Sequence, residues 1–209
     1  MNEENENEKG EFIKVMTLGN LAVGKTNFIL KYTENKFQET HISTVGLDFK
    51  MKKMEINKKN YQIVLFDTAG QERYKSIALN VLKETHGIIL MYDITNKTTF
   101  ESITDWINNI KDLKGADFPL ILVGNKIDLE EERKVNKEEG QKLADENKIL
   151  FFETSNKTGI NIQEAGLALI KKIIDKREKE KHELNNTNIS LQLSGKTKIK
   201  LIDDTRRCC

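Results

Sequence analysis

The 209-residue chain contains a single proline, Pro119, so its helices and strands run almost without imposed breaks. It has two cysteines, and they are its last two residues, Cys208 and Cys209. Adjacent terminal cysteines cannot build a disulfide framework or a zinc site of paired CxxC motifs, so their position rather than their pairing is the message. Three histidines, His41, His86 and His182, stand apart from any acid–nucleophile pattern, and surface or packing roles account for them. No run reaches the roughly 18 consecutive apolar residues of a membrane-spanning helix. No basic-then-apolar signal peptide opens the chain. Residues 1–11 are polar and acidic and read as a short disordered leader. A formal net charge of only +1 supplies no global field for nucleic acid, and none is expected as a partner. What is left is a cytosolic chain with 37% hydrophobic residues, suited to one α/β domain and a tail.

Against these absences one segment stands out: Gly19-Asn20-Leu21-Ala22-Val23-Gly24-Lys25-Thr26, which fits GxxxxGK[ST]. The glycines let the backbone curl so that N–H groups converge on an anion, Lys25 can reach the β- and γ-phosphates, and the Thr26 hydroxyl can ligate Mg²⁺. A helix starting there adds its positive dipole end. The motif needs a strand before it and a helix after it. Phe12, Ile13, Val15 and Met16 supply the first, and Phe28, Ile29 and Tyr32 recur at helical spacing after it.

The rest of the chain alternates in the same way. Strands are expected at 12–18, 46–56 and 61–66, the last two joined by a turn at Asn57–Asn60. Further strands are expected at 87–92, 120–123 and 149–152, and helices at 25–34, 98–112, 136–147 and 161–181. The last helix turns Ile162, Ala165, Leu169, Ile170, Ile173 and Ile174 inward. This pattern predicts a mostly parallel six-stranded sheet with one antiparallel hairpin and helices on both faces. Ligands in such sheets bind at the carboxyl ends of the strands, where the phosphate loop lies. From His182 the apolar periodicity fades into Asn, Thr and Ser, which reads as a linker.

Two more motifs follow apolar strands. Asp67-Thr68-Ala69-Gly70-Gln71 begins with a carboxylate at a strand end, suited to hold Mg²⁺ through water beside the phosphate loop. Gly70 offers a backbone N–H to a γ-phosphate, and Gln71 could orient an attacking water. Asn125-Lys126-Ile127-Asp128 ends in a carboxylate that can accept from both N1–H and the exocyclic amine of guanine. Adenine lacks that donor pair, so such a site would reject it.

With these motifs in order, the chain resembles a small GTPase of the Ras superfamily, and specifically a Rab, over residues 12–175. Glu153-Thr154-Ser155-Asn156-Lys157 and Ser43-Thr44-Val45-Gly46-Leu47-Asp48-Phe49 extend the likeness. The resemblance implies a P-loop NTPase of the small GTPase fold over 12–181, with 182–209 as a flexible tail. It implies catalytic parts for Lys25 and Gln71. Phe37 would lie against the guanine, Asn27 would bind the nucleotide together with residues 19–26 of the phosphate loop, and Asn125, Lys126 and Asp128 would hold the base. Ser155, the Asn156 backbone N–H and Lys157 would close the base pocket. Thr26, Thr44 and Asp67 would form the Mg²⁺ site, Thr44 only while a γ-phosphate is present. Segments 38–47 and 68–80 would then be switch loops that relax on hydrolysis.

The implied partners are an exchange factor, a GTPase-activating protein, a GDP dissociation inhibitor, a prenylation escort protein and effectors, all acting on a monomer. Phe49, Phe66 and Val81 would occupy the aromatic effector surface, with Phe66 in place of tryptophan and Val81 in place of tyrosine. Cys208-Cys209 resembles the double-cysteine terminus that takes two geranylgeranyl groups, and two chains are what stable anchoring requires. The expected location is the cytoplasmic face of an intracellular membrane, cycling with the cytosol. Lys196, Lys198, Lys200, Arg206 and Arg207 add attraction to anionic lipid, partly offset by Asp203 and Asp204.

Leu21 departs from the family pattern, which has glycine or a small polar residue there. A branched side chain is expected to crowd the γ-phosphate, Gln71 and an incoming arginine, slowing hydrolysis; the alternative is that Leu21 turns outward. A hydrolysis-impaired, GTP-bound scaffold is therefore a rival reading, opposed by the presence of Gln71 and Thr44. An ATP-using enzyme is a second rival, opposed by Asp128. Asn156 replaces the usual alanine, at a position where the expected ligand contact is made by backbone.

Overall fold

The computed structural model describes residues 10–39, 47–68 and 81–193. Six strands form one sheet: β1 (Glu11–Leu18), β2 (Leu47–Ile56), β3 (Lys59–Thr68), β4 (Gly87–Asp93), β5 (Leu120–Asn125) and β6 (Leu150–Thr154). Their order is β2-β3-β1-β4-β5-β6, with β2 and β3 antiparallel and every other pair parallel. This is the sheet the alternating pattern predicts. The helices whose bounds lie among the described residues are α1 (Lys25–Glu34), α2 (Lys97–Glu101), α3 (Ile103–Lys114), α4 (Lys137–Asn147) and α5 (Ile162–Leu193), with a 3-10 helix at Ile127–Glu132. The chain divides into two units, one ending at Ile173 and one beginning at Ile174.

Strand alternation divides the core of the first unit. Met16, Leu18, Ile88, Leu90, Tyr92, Leu120 and Leu122 point to one face, where Ile103, Ile107 and Ile110 of α3 and Ala144 of α4 cover them. Ile13, Val15, Ile63, Leu65, Ile89, Met91, Ile121 and Val123 point to the other and are equally buried. On that side α5 comes so close that a Cβ on Gly87 would lie 2.6 Å from Ile173 Cδ1, and one on Gly166 would lie 2.3 Å from the Tyr32 ring of α1. β4 and β5 are buried along their full lengths, as central parallel strands must be.

Four local features depart from the sequence expectation. The β2–β3 connection is tighter than the Asn57–Asn60 turn: Ile56 pairs with Lys59, leaving Asn57 at φ 52° and Lys58 at φ 62° as a two-residue turn. Two successive left-handed residues match the twist of the hairpin, so the strands zip to the last possible pair. The helix expected at 98–112 is two helices meeting at Ser102, whose Oγ donates to Thr98 O at 2.9 Å in the back-bond that commonly bends helices. The 3-10 helix at 127–132 was not expected. Finally, α5 runs on to Leu193 rather than stopping at 181, because no glycine or proline intervenes before Gly195. Fading apolar periodicity in a sequence removes the amphipathic signal of a helix without itself ending one. Among the described residues no helix is long and apolar enough to cross a membrane.

Candidate functional site

The phosphate loop leaves the end of β1, in the middle of the sheet, and turns into α1. Gly19 sits at φ +136°, and a Cβ there would lie 2.2 Å from Met91 O of β4. Ala22 takes φ 64° and Gly24 φ +101°, so the loop alternates left-handed positions as it curls. Lys25 is the first residue of α1 and nearly fully buried. Its Nζ donates back to Gly19 O at 3.0 Å and Asn20 O at 2.8 Å, spanning its own loop. Burial lowers the Lys25 pKa to about 8, with the Asp67 carboxylate pulling the other way.

Next to it, Thr26 Oγ1 donates to Asp67 Oδ2 at 2.6 Å. The parallel register Met16↔Phe66 brings the end of β3 level with the loop, and Thr68 Oγ1 donates to Thr17 O at 2.8 Å to fix that alignment. One hydroxyl and one buried carboxylate at a helix start form an all-oxygen donor set, which suits a hard cation such as Mg²⁺. Asn27 makes two bonds with Gln38, donating to its O and accepting from its N, both at 2.9 Å. These hold the segment carrying half-exposed Phe37 against α1.

The base side is assembled by β5 and β6. Their register pairs Asn125 with Thr154, so the loops after the two strands leave side by side. Asn125 is buried. Its Nδ2 donates to Val23 O at 2.8 Å, and its Oδ1 accepts from Thr154 Oγ1 at 3.2 Å and Asn156 N at 3.3 Å. One amide thus ties the phosphate loop to both base loops. Asp128 is exposed at the mouth and accepts from Ser155 Oγ at 2.5 Å. Ser155 is itself held by Ser155 N→Ile160 O at 3.2 Å and Gly159 N→Ser155 O at 2.7 Å. Lys126 takes φ 73° and its Nζ pairs with Asp93 Oδ2 at 2.6 Å. Lys157 is exposed next to buried Asn156.

The structure therefore gathers Gly19–Asn27, Asp67, Asn125, Lys126, Asp128 and Ser155–Lys157 around one set of strand ends. Thr44, Gly70 and Gln71 lie outside the described residues, as do Cys208 and Cys209. Leu21 is a half-exposed side chain at the loop tip. Phe49 is exposed and Phe66 half-buried, with ring centroids 6.4 Å apart, and Val81 packs on the α3-side core.

Sequence reasoning missed three supports. Asp93, brought level with Asn125 by the β4–β5 register, anchors Lys126. Thr154 orients Asn125; its place one residue before Ser155 was the available signal. Asn20 is gripped by the α2–α3 junction, accepting from Trp106 Nε1 at 3.2 Å and donating to Ser102 Oγ at 3.1 Å. No spacing rule joins residues so far apart in sequence.

Residues 14–175 match the model of the Ras family. The chain belongs to the Rab branch of the Ras family. It is 43% identical over 161 residues to the Ras-related protein Rab-13 of Rattus norvegicus, covering 77% of this chain and 79% of that one. It is 39% identical over 196 residues to the Ras-related protein Rab-10 of Diplobatis ommata, covering 94% of each. Against the Ras-related protein Rab-8 of the same species it is 40% identical over 170 residues, covering 81% of each. As a Rab-like small GTPase the chain binds GTP and GDP, hydrolyses GTP, and works with regulators and effectors as a switch in membrane traffic. The scaffold reading gains no support over this one.

Proposed function

We propose that this Rab-like GTPase seats its nucleotide across the strand ends of β1, β3, β5 and β6, with the residues named above in separate tasks. The observation that carries the reading is the meeting of two unlike half-sites on one loop. Thr26 and Asp67 stand on one side of the phosphate loop, and Asp128 and Ser155 reach the other through Asn125. The backbone of Gly19–Lys25 wraps the phosphates, and Lys25 neutralises their charge from inside the loop. Asp128 accepts from the two donors on the guanine edge, with Ser155 holding that carboxylate in place. Asn125, Lys126, the Asn156 backbone N–H, Lys157 and Phe37 enclose the base.

Thr26, Asp67 and Thr44 would hold Mg²⁺, which when bound offsets charge building up between the β- and γ-phosphates. Gln71 orients the attacking water, and Gly70 and Thr44 sense the γ-phosphate. Loss of that group removes their contacts and releases the segments they hold. The intrinsic rate is slow, and a GTPase-activating protein supplies the further cation that speeds it. An exchange factor reloads the site, effectors read Phe49, Phe66 and Val81, and an escort protein and a GDP dissociation inhibitor handle a tail with lipid on Cys208 and Cys209. That tail places the protein on the cytoplasmic face of an intracellular membrane.

Nucleotide eluted from the purified full-length protein and resolved by ion-exchange chromatography tests the site. GDP or GTP is the expected content, and ATP or ADP in its place would overturn the assignment. Mass spectrometry of the protein from its own cells tests the anchor, which two unmodified terminal thiols throughout would rule out.

A further inference from the structure

Gly24 closes the phosphate loop, and its carbonyl starts α1 by accepting from Phe28 N at 2.9 Å. The space beside its Cα is filled by two amides: a Cβ on Gly24 would lie 2.4 Å from Asn125 Nδ2 and 2.6 Å from Asn156 Nδ2. These amides donate to successive carbonyls of the loop. Asn125 bonds Val23 O at 2.8 Å, and Asn156 bonds Gly24 O at 2.8 Å. The first bond belongs to the NKID motif. The second comes from a side chain at the position where the family pattern has alanine, which has no group to send there.

The Asn156 side chain sits there at a cost. The residue is only 4% exposed, and its Oδ1 is buried with no hydrogen-bond partner among the described residues. Rotating the amide would set that oxygen against Gly24 O, so the donor bond and the unsatisfied acceptor come together. A buried acceptor without a donor lowers stability, and its persistence calls for a compensating use. Gly24 O does not need the bond, because Phe28 N already satisfies it. What the bond adds is a second tie between the loop that follows β6 and the loop that follows β1, next to the tie Asn125 makes.

We propose that Asn156 is a positioning residue that locks the phosphate loop to the base loop and so slows release of bound guanine nucleotide. The inference rests on the nucleotide site proposed above. A nucleotide held at both ends departs when the two loops loosen relative to one another, and each tie raises the barrier to that motion. A structural contact would act on stability instead.

The test is release of a fluorescent GDP analogue from full-length protein in the presence of Mg²⁺, for wild type, Asn156→Ala and Asn156→Ser. Both variants keep the backbone N–H and remove the amide. Release is expected to quicken about five- to tenfold, the factor that one ordinary hydrogen bond commands. Urea unfolding of the nucleotide-stripped proteins is expected to show no loss of stability, since the variants also delete the unsatisfied Oδ1. Release within twofold of wild type for both variants would overturn the inference. So would faster release matched by an equal loss of stability in the stripped protein. The site reading fails separately, and visibly, if wild type retains no guanine nucleotide at the start.

Discussion

Burial brings the Lys25 pKa to about 8, well below the ordinary lysine value of 10.5. Between those two values the unfolded chain holds a proton that the folded, nucleotide-free protein has released. Stability of the free protein therefore rises with pH across that window. A bound polyphosphate acts in the opposite sense, because its oxygens favour the ammonium form. Binding then takes up a proton above pH 8, and affinity falls as pH climbs through it, by at most about tenfold per unit. GDP affinity obtained from association and dissociation rates between pH 7 and 8.8 checks this, and a flat profile would contradict it.

Leu21, half-exposed at the loop tip, sets a second residue-level question. If its side chain crowds the γ-phosphate and Gln71, Leu21→Ser hydrolyses GTP faster in a single turnover; equal rates would assign Leu21 an outward place without kinetic effect.

At the scale of elements, the β2–β3 hairpin holds strain that can be relieved. Lys58 adopts φ 62° in a two-residue turn whose second position favours glycine. A left-handed backbone costs a non-glycine residue roughly 1 kcal/mol. Lys58→Gly is expected to raise the melting temperature by about 2–4 °C in a domain of this size, read by circular dichroism. A lower melting temperature would mean that the extra freedom of glycine in the unfolded chain outweighs the strain.

The same hairpin shows what was legible beforehand. Alternation and turn residues announced both strands, because their information is local. The pairing that tightens the turn is cooperative along the two strands and no residue announces it. Likewise GxxxxGKT, Asp67 and NKID were readable because each is contiguous. The grip of Trp106 and Ser102 on Asn20 depends on where the bend between α2 and α3 falls, and Asp93 beneath Lys126 depends on the register of β4 against β5. Helix α5 outran its expected end for the converse reason: the sequence of its last turns carries no apolar stripe, and the only local signal for them is the lack of glycine or proline, which the reading of a linker from His182 passed over.

Across the whole first unit, the candidate site is built from the ends of strands that are far apart in sequence. Asp67 comes with the hairpin side of the sheet, Asn125 and Ser155 with the other, and the phosphate loop lies between them. A ligand that contacts all of these can form its full set of contacts only when both sides are folded, so its binding energy becomes stability of the entire unit rather than of one loop. At a hundred times its dissociation constant a ligand adds about 2.7 kcal/mol. In a protein of this length that corresponds to a melting shift of roughly 5–10 °C. GDP with Mg²⁺ is expected to give at least this in a thermal shift measurement, in one cooperative transition. ATP at the same concentration should give almost none, because the carboxylate of Asp128 finds no donor pair on adenine and would be left facing an acceptor. An equal shift with ATP would show that the Asp128–Ser155 pair does not select the base. A GDP shift confined to one of two separate transitions would show that the site is local to one side of the sheet.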